Sequence, residues 1–243
     1  MPLDINGNII NATIASTLNY KAVNTRGLVM HLDAAATDSY PGSGTTWYDI
    51  SGNSNHGTIT GATYTSSYGL GSFNFGGSSS YYVQVPHSTS LNISSTLTAI
   101  NWVYYRSGSG RIMQKDDTGQ GNNYTRLWET GANPGTYRME MWHSDGGTTG
   151  AQFGSSVTTN GWMFLTMTFD GSSIKMYQNS SLINTISFAG DIRTASTPLW
   201  IGGGWATSEW WDGYIANAMI YNRALTSGEI SQQYNAQKSR FGL

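Results

Sequence analysis

The stretch GWMFLTMTFDGSSIKMYQNSSLI, Gly161 to Ile183, decides how the fold of this chain is read. Met163, Leu165, Met167 and Phe169 fall on one side of an extended backbone, and Thr166 and Thr168 fall on the other. That two-residue period is the mark of a half-buried strand. The run stops at Asp170-Gly171 and SIKMYQN follows it. Segments of the same kind extend in both directions: LVMHLDA, SFNFGG, YYVQVP, TAINWVYYR and YRMEMWHS before it, LINTISFAG, PLWIGGG and DGYIANAMIYN after it. SFNFGG and YYVQVP resemble a hairpin. About ten such strands separated by Gly, Asn and Ser turns imply an all-β sandwich or jelly roll.

Only the end turns helical. In LTSGEISQQYNAQKSRFGL, Thr226 is placed as an N-cap with Glu229 three residues on, a capping box. Ile230 and Tyr234 then share one face, enough to dock a short helix on the sandwich. No repeat of 20–50 residues is visible.

The 243 residues suffice for one large β domain with a full core. A net charge of −2 leaves no basic field to hold phosphates, which argues against nucleic-acid binding. Charged residues make up 11%, against roughly 25% in an average domain, so Ser, Thr, Asn and Gly carry the solubility. There is no cysteine, which excludes a disulfide framework and thiolate metal sites. MPLDINGNII lacks the basic and apolar regions of a secretion signal, and no apolar run approaches the roughly 20 residues of a membrane span. The expectation is a chain made in a cytoplasm without a signal peptide. Residues 1–26 carry scattered Ile and Leu with no clean period and no neighbouring hydrophobic block. Too short to fold alone, they read as a docking arm ahead of a domain over 27–243.

WYDISGNSNHGTITGA, SFNFGGSSSYYVQVPHSTSLNI, the Gly161–Ile183 stretch, LWIGGG and DGYIANAMIYNRALTSGEI stand in the order found in laminin-G-like domains. The chain resembles that group of the concanavalin A-like lectin/glucanase superfamily over roughly Gly27–Leu243, most specifically in IYNRALTSGEI. The opening GLVMHLDAAATDSYPGSGTTWYDISGNSNHGT and the ending YNAQKSRFGL look like the version in tailed-phage virion proteins, notably marine and cyanobacterial ones. The resemblance implies a two-sheet antiparallel jelly roll with its first and last strands close together. It also implies buried positions for Trp102, Trp162, Trp200 and Trp211. Two departures stand out. Asn179-Ser180 replaces the usual Asp-Gly of a hairpin turn, which Asn can still support because it tolerates the left-handed region. Ala216-Asn217 replaces an acidic pair in the last strand.

Glucanases of the superfamily carry Glu-x-Asp-x-Glu on one strand, which sets two carboxylates on one face. Nothing of that form occurs here: Glu129, Glu140, Glu209 and Glu229 are never within four positions of one another, and Asp116-Asp117 would face opposite sides of a strand. The four histidines are scattered without a nucleophile elbow, and His56 reads as a structural hydrogen-bonding group. A catalytic role is not expected.

Two kinds of binding are. Asp49, Ser51, Asn53 and Asn55 have the alternate spacing by which a tight loop aims oxygens at a hard cation, and the resemblance implies that Asp212 approaches them through pairing of the terminal strands. Against Ca²⁺, the loop has a single carboxylate, and Asx turns account for the same residues. Trp205 and Trp210, in GGGWATSEWWDG, form one candidate platform for sugar rings or a protein interface; Tyr124, Arg126, Trp128, Trp142 and His143 form another. The expected protein is non-enzymatic, and the resemblance implies a phage virion accessory protein, in a head decoration, head fibre or tail fibre. Its arm binds other virion proteins and its lectin-like domain faces host-surface glycans, as a homo-oligomer, with a trimer expected. The competing expectation is a free-standing carbohydrate-binding lectin.

Overall fold

The computed structural model describes residues 23–117, 125–133, 136–142, 152–153, 159–203 and 210–243. Two antiparallel sheets form a sandwich. The first holds β1 (Leu28–Asp33), β4 (Thr63–Thr65), β5 (Ser72–Gly76), β7 (Leu97–Ser107), β12 (Trp162–Phe169), β13 (Ser173–Gln178), β14 (Ser181–Ser187) and β16 (Asp212–Tyr221). Its order is β14-β13-β12-β7-β16-β5-β4, and β1 shares the outer edge of β16 with β5. The second holds β2 (Thr46–Trp47), β3 (Gly57–Thr60), β6 (Tyr82–Val85), β8 (Gly110–Asp117), β9 (Thr125–Asn133), β10 (Thr136–Met141), β11 (Gln152–Phe153) and β15 (Leu199–Ile201). Its order is β11-β10-β9-β8-β15-β6-β3-β2. Pairing of β1 with β16, Met30 opposite Ile220, brings the ends of the domain together as the resemblance implies.

The alternation of β12 sends Met163, Leu165, Met167 and Phe169 into the core between the sheets. Its other face was expected to meet water, yet Phe164, Thr166 and Thr168 are buried too. The cause is the C-terminal helix α1 (Ser227–Gln237), which with Phe241 closes a second apolar layer over Ile100, Trp102, Phe164 and Tyr221. Trp102 stacks on Phe241 with ring centroids 3.9 Å apart. The capping box forms as read, with the Thr226 hydroxyl accepting from the Glu229 N–H and the Glu229 carboxylate accepting from the Thr226 N–H. No helix among the described residues is long and apolar enough to cross a membrane.

SFNFGG and YYVQVP do not form a hairpin. β5 pairs with β4 and β16 in the first sheet, and β6 pairs with β3 and β15 in the second. Phe73 and Phe75 approach the central core from one sheet while Val83 and Val85 approach it from the other. Filling a two-layer core from both sides therefore outweighs the local turn between them. Asn179-Ser180 does form a two-residue hairpin turn between β13 and β14, with φ of 49° and 67°. Both values lie in the left-handed region that a type I′ turn demands.

Most of the arm expected over residues 1–26 lies outside the described residues. Its last part is attached: Val23 joins the apolar layer under α1, and the Asn24 amide donates to Glu229 Oε1 at 2.7 Å.

Candidate binding surface

Period two on β7 points Trp102, Tyr104 and Arg106 to the outer face of the first sheet, while Val103 and Tyr105 point to the core. Register then assembles a row that no single segment contains. Trp162 opposes Tyr104, Tyr104 opposes Tyr214, and Tyr214 opposes Asn74. One turn of the pleat away, the equivalent row of Phe164 and Trp102 lies under α1. The helix thus covers half of an aromatic face and leaves Trp162, Tyr104 and Tyr214 half-buried at its border.

The loop between β4 and β5 completes the surface. Tyr68 stacks on Tyr214 with centroids 4.3 Å apart and planes 14° from parallel, and it meets Tyr104 edge-on at 5.7 Å. It remains 38% exposed, and Leu70 beside it is 49% exposed at a φ of 58°, a costly conformation for a bulky side chain. The loop is fastened from below, since Arg240 donates to the carbonyls of Gly69 and Gly71. Gly69 packs directly on Phe241 and Trp162, where a Cβ would come within 2.5 Å of the Phe241 ring.

A polar group adjoins the rings. Arg106 Nε donates to Asp212 Oδ1 at 2.8 Å, Arg106 Nη2 donates to the Phe75 carbonyl at 2.6 Å, and Ser107 Oγ donates to Asp212 Oδ2 at 2.6 Å. The guanidinium lies 5.2 Å from the Tyr214 ring centre. Burial, reinforced by neighbouring Tyr68, raises the Tyr214 pKa above the usual phenol value and keeps the ring neutral. Flat rings beside fixed donors and acceptors are the chemistry of sugar recognition: C–H faces stack, and hydroxyls bond at the margin.

The residues expected to hold a cation are not gathered. The Asp49 carboxylate is enclosed by protein donors: the N–H groups of His31, Ser51 and Asn55 and the Ser51 hydroxyl, all at 2.8–2.9 Å. Asn53 is exposed and bonds the Leu28 carbonyl and Ser51. His56 Nδ1 accepts the Asp49 N–H at 2.9 Å, the structural role read for it. His31, which binds Asp49, pairs with Met219, whereas Asp212 begins β16 opposite Gly76 and Ser107. Seven residues of strand, roughly 23 Å, separate those positions. Among the described residues no three His, Asp or Glu side chains converge as a metal set.

Of the aromatic candidates, Trp128 is a core residue on β9 opposite Met141, so it offers no surface platform. Trp142 is half-buried just after β10, and its carbonyl accepts the Arg193 N–H. Trp210 is half-buried against Gly203, and its backbone bridges to Arg111. Arg126 opposes Asp116 across β8 and β9. Tyr124, His143 and Trp205 lie outside the described residues. Trp102, Trp200 and Trp211 are buried as the resemblance implies, and Trp162 only half so.

Sequence separation also concealed one pairing of acidic positions. Glu129 and Glu140 oppose each other across β9 and β10. Glu140 is buried and ion-paired with Arg138 Nε at 3.3 Å, so its charge is already balanced within the strand.

The sandwich, with its aromatic outer face, defines a lectin-like class of domain. The chain belongs to the laminin G-like family of the Concanavalin A-like lectin/glucanases superfamily, which it matches over residues 75–231. Solved structures share the fold at low identity. The binding domain of Paraclostridial Mosquitocidal Protein 1 aligns with a TM-score of 0.69 at 17% identity, over 86% of this chain and 52% of that one. Domain 4 of AbnA, a GH43 extracellular arabinanase from Geobacillus stearothermophilus, in complex with arabinotriose, aligns at 0.62 and 18%, over 85% and 98%. Trypanosoma rangeli sialidase in complex with the inhibitor DANA aligns at 0.65 and 17%, over 87% and 33%. The chain thus spans about half the length of the toxin binding domain that it matches. No curated protein sequence matches the chain.

Proposed function

We propose that this chain is a non-catalytic adhesion module that binds glycans at the Tyr68–Tyr104–Tyr214 surface. The observation that carries the reading is the stacked Tyr68–Tyr214 pair beside the Arg106–Asp212–Ser107 cluster. Its company in fold, a toxin binding domain and an arabinotriose-bound domain, supports binding over catalysis. The module is carried on a phage particle as a homo-oligomeric accessory protein. Residues 1–26 attach it to other virion proteins, and the sandwich faces the host surface.

Two measurements test this. A glycan array with the whole chain is expected to give binding that Tyr68→Ala and Tyr214→Ala each reduce about tenfold or more, the loss of one stacking contact. Silence across host polysaccharides would remove the adhesive role. Particles assembled with a chain lacking residues 1–26 are expected to be without the protein; retention would refute docking by the arm.

A further inference from the structure

The polar margin of the aromatic surface carries information about what kind of sugar fits. Arg106 and Asp212 form a close ion pair, 2.8 Å from Nη2 to Oδ1, with side chains 31% and 25% exposed. Their formal charges cancel, and among the described residues no other charged side chain bonds to either of them. The pair is anchored on both sides, by the Phe75 carbonyl and by the Ser107 hydroxyl, so neither partner is free to swing to a ligand alone.

Counting donors and acceptors sharpens the point. Arg106 uses Nε and Nη2, so the two N–H groups of Nη1 remain to donate. Asp212 accepts from Arg106 on Oδ1 and from Ser107 on Oδ2, so each oxygen keeps accepting capacity. Nη1 lies on the side of the guanidinium away from the carboxylate, so free donors and free acceptors flank the pair on opposite sides. That pattern matches sugar hydroxyls, one accepting from Nη1 and another donating to the carboxylate. A sugar carboxylate at Nη1 would instead meet a guanidinium whose charge Asp212 already balances.

We infer that the surface selects uncharged sugars, and that the charge-balanced Arg106–Asp212 pair discriminates against uronate and sulfated ones. The inference rests on the glycan-binding reading above, and it concerns which glycans bind. Neutral selection has a simple signature. Binding is independent of salt, because no net charge is neutralised, whereas binding of an acidic sugar weakens as ionic strength rises.

The test pairs neutral polysaccharides (a glucan, a mannan and a galactan) with polygalacturonate and a sulfated galactan, using the whole chain at low and high salt. The expected result is salt-independent binding to at least one neutral polymer and at least tenfold weaker binding to both acidic ones. Asp212→Asn leaves Arg106 uncompensated, and it is expected to raise polygalacturonate binding about tenfold with a new salt dependence. Equal or stronger binding of acidic polymers by the unaltered protein overturns the inference while the adhesion reading stands. Binding of none of the polymers overturns both. Neutral binding that survives Tyr68→Ala unchanged places the site elsewhere and also overturns it. The salt comparison on the unaltered chain needs no variant to fold.

Discussion

Arg240 sets Nη1 2.8 Å from each carboxylate oxygen of Asp33, across 207 residues of sequence, with the two side chains only 5% and 3% exposed. The same guanidinium holds the carbonyls of Gly69 and Gly71, and so the loop that presents Tyr68. Its neighbour Phe241 lies on Trp102 and Trp162. One residue near the end of the chain therefore joins the first strand, the exposed loop and the helical layer.

Arg240→Ala should cost about 3–5 kcal/mol in urea unfolding, because it strands a buried carboxylate. Adding Asp33→Asn should recover part of that loss by removing the stranded charge, so the two changes are expected to be non-additive. Hydrogen exchange in the Ser66–Gly71 loop should speed up in the single variant.

Stability should fall in two steps as pH is lowered. Burial holds the His31 pKa below its usual value despite the nearby Asp33 and Asp49 charges. The folded state keeps His31 neutral while the unfolded chain takes up a proton below about pH 6.5, so this contribution is intact above that pH and lost beneath it. Glu229 shows the opposite displacement, drawn down to about 2 chiefly by its hydrogen bond from Arg223. Its contribution is present above the unfolded value of about 4.5 and disappears as pH falls toward 2. Melting curves from pH 8 to 3 should show both steps. His31→Gln is expected to flatten the upper one and Glu229→Gln the lower one.

Asp49→Ala should destabilise the protein by roughly 3–5 kcal/mol, since four protein donors lose their acceptor together. A chelator should leave the melting temperature unchanged, because those donors already occupy the carboxylate. A chelator-induced drop would identify a bound cation, through the stabilisation that binding to the folded state must bring.

Ser180→Gly should raise stability by about 0.5–1 kcal/mol. Ser180 sits at a φ of 67° in a turn that favours Asn-Gly. Thermal melting resolves a change of this size.

Local features were legible in the residues. Alternation in β12, the Thr226–Glu229 box and the Asn179-Ser180 turn each depend on neighbours a few residues apart. Asn217 was read only as a departure from an acidic pair. In the fold it lies at a β-bulge, fully buried, accepting the Trp102 N–H and donating to Gln237 Oε1. The amide supplies both a donor and an acceptor, which a carboxylate could not. Trp128 misled because a strand tryptophan carries no mark of which side of its sheet is covered. The tyrosine surface was missed although Trp102, Tyr104 and Arg106 alternate visibly in TAINWVYYR.

By itself, then, the sequence determined strand periodicity, turn chemistry, the helix cap and membership of the jelly-roll class, all of which are written in short-range patterns. Tertiary structure alone decided that β5 and β6 join different sheets, that α1 covers half of an aromatic face, and that Tyr68, Tyr104 and Tyr214 meet beside Arg106 and Asp212. The reason is that period two tells a side chain which face of its strand to take, whereas register and sheet choice are set by filling a shared core from distant segments at once.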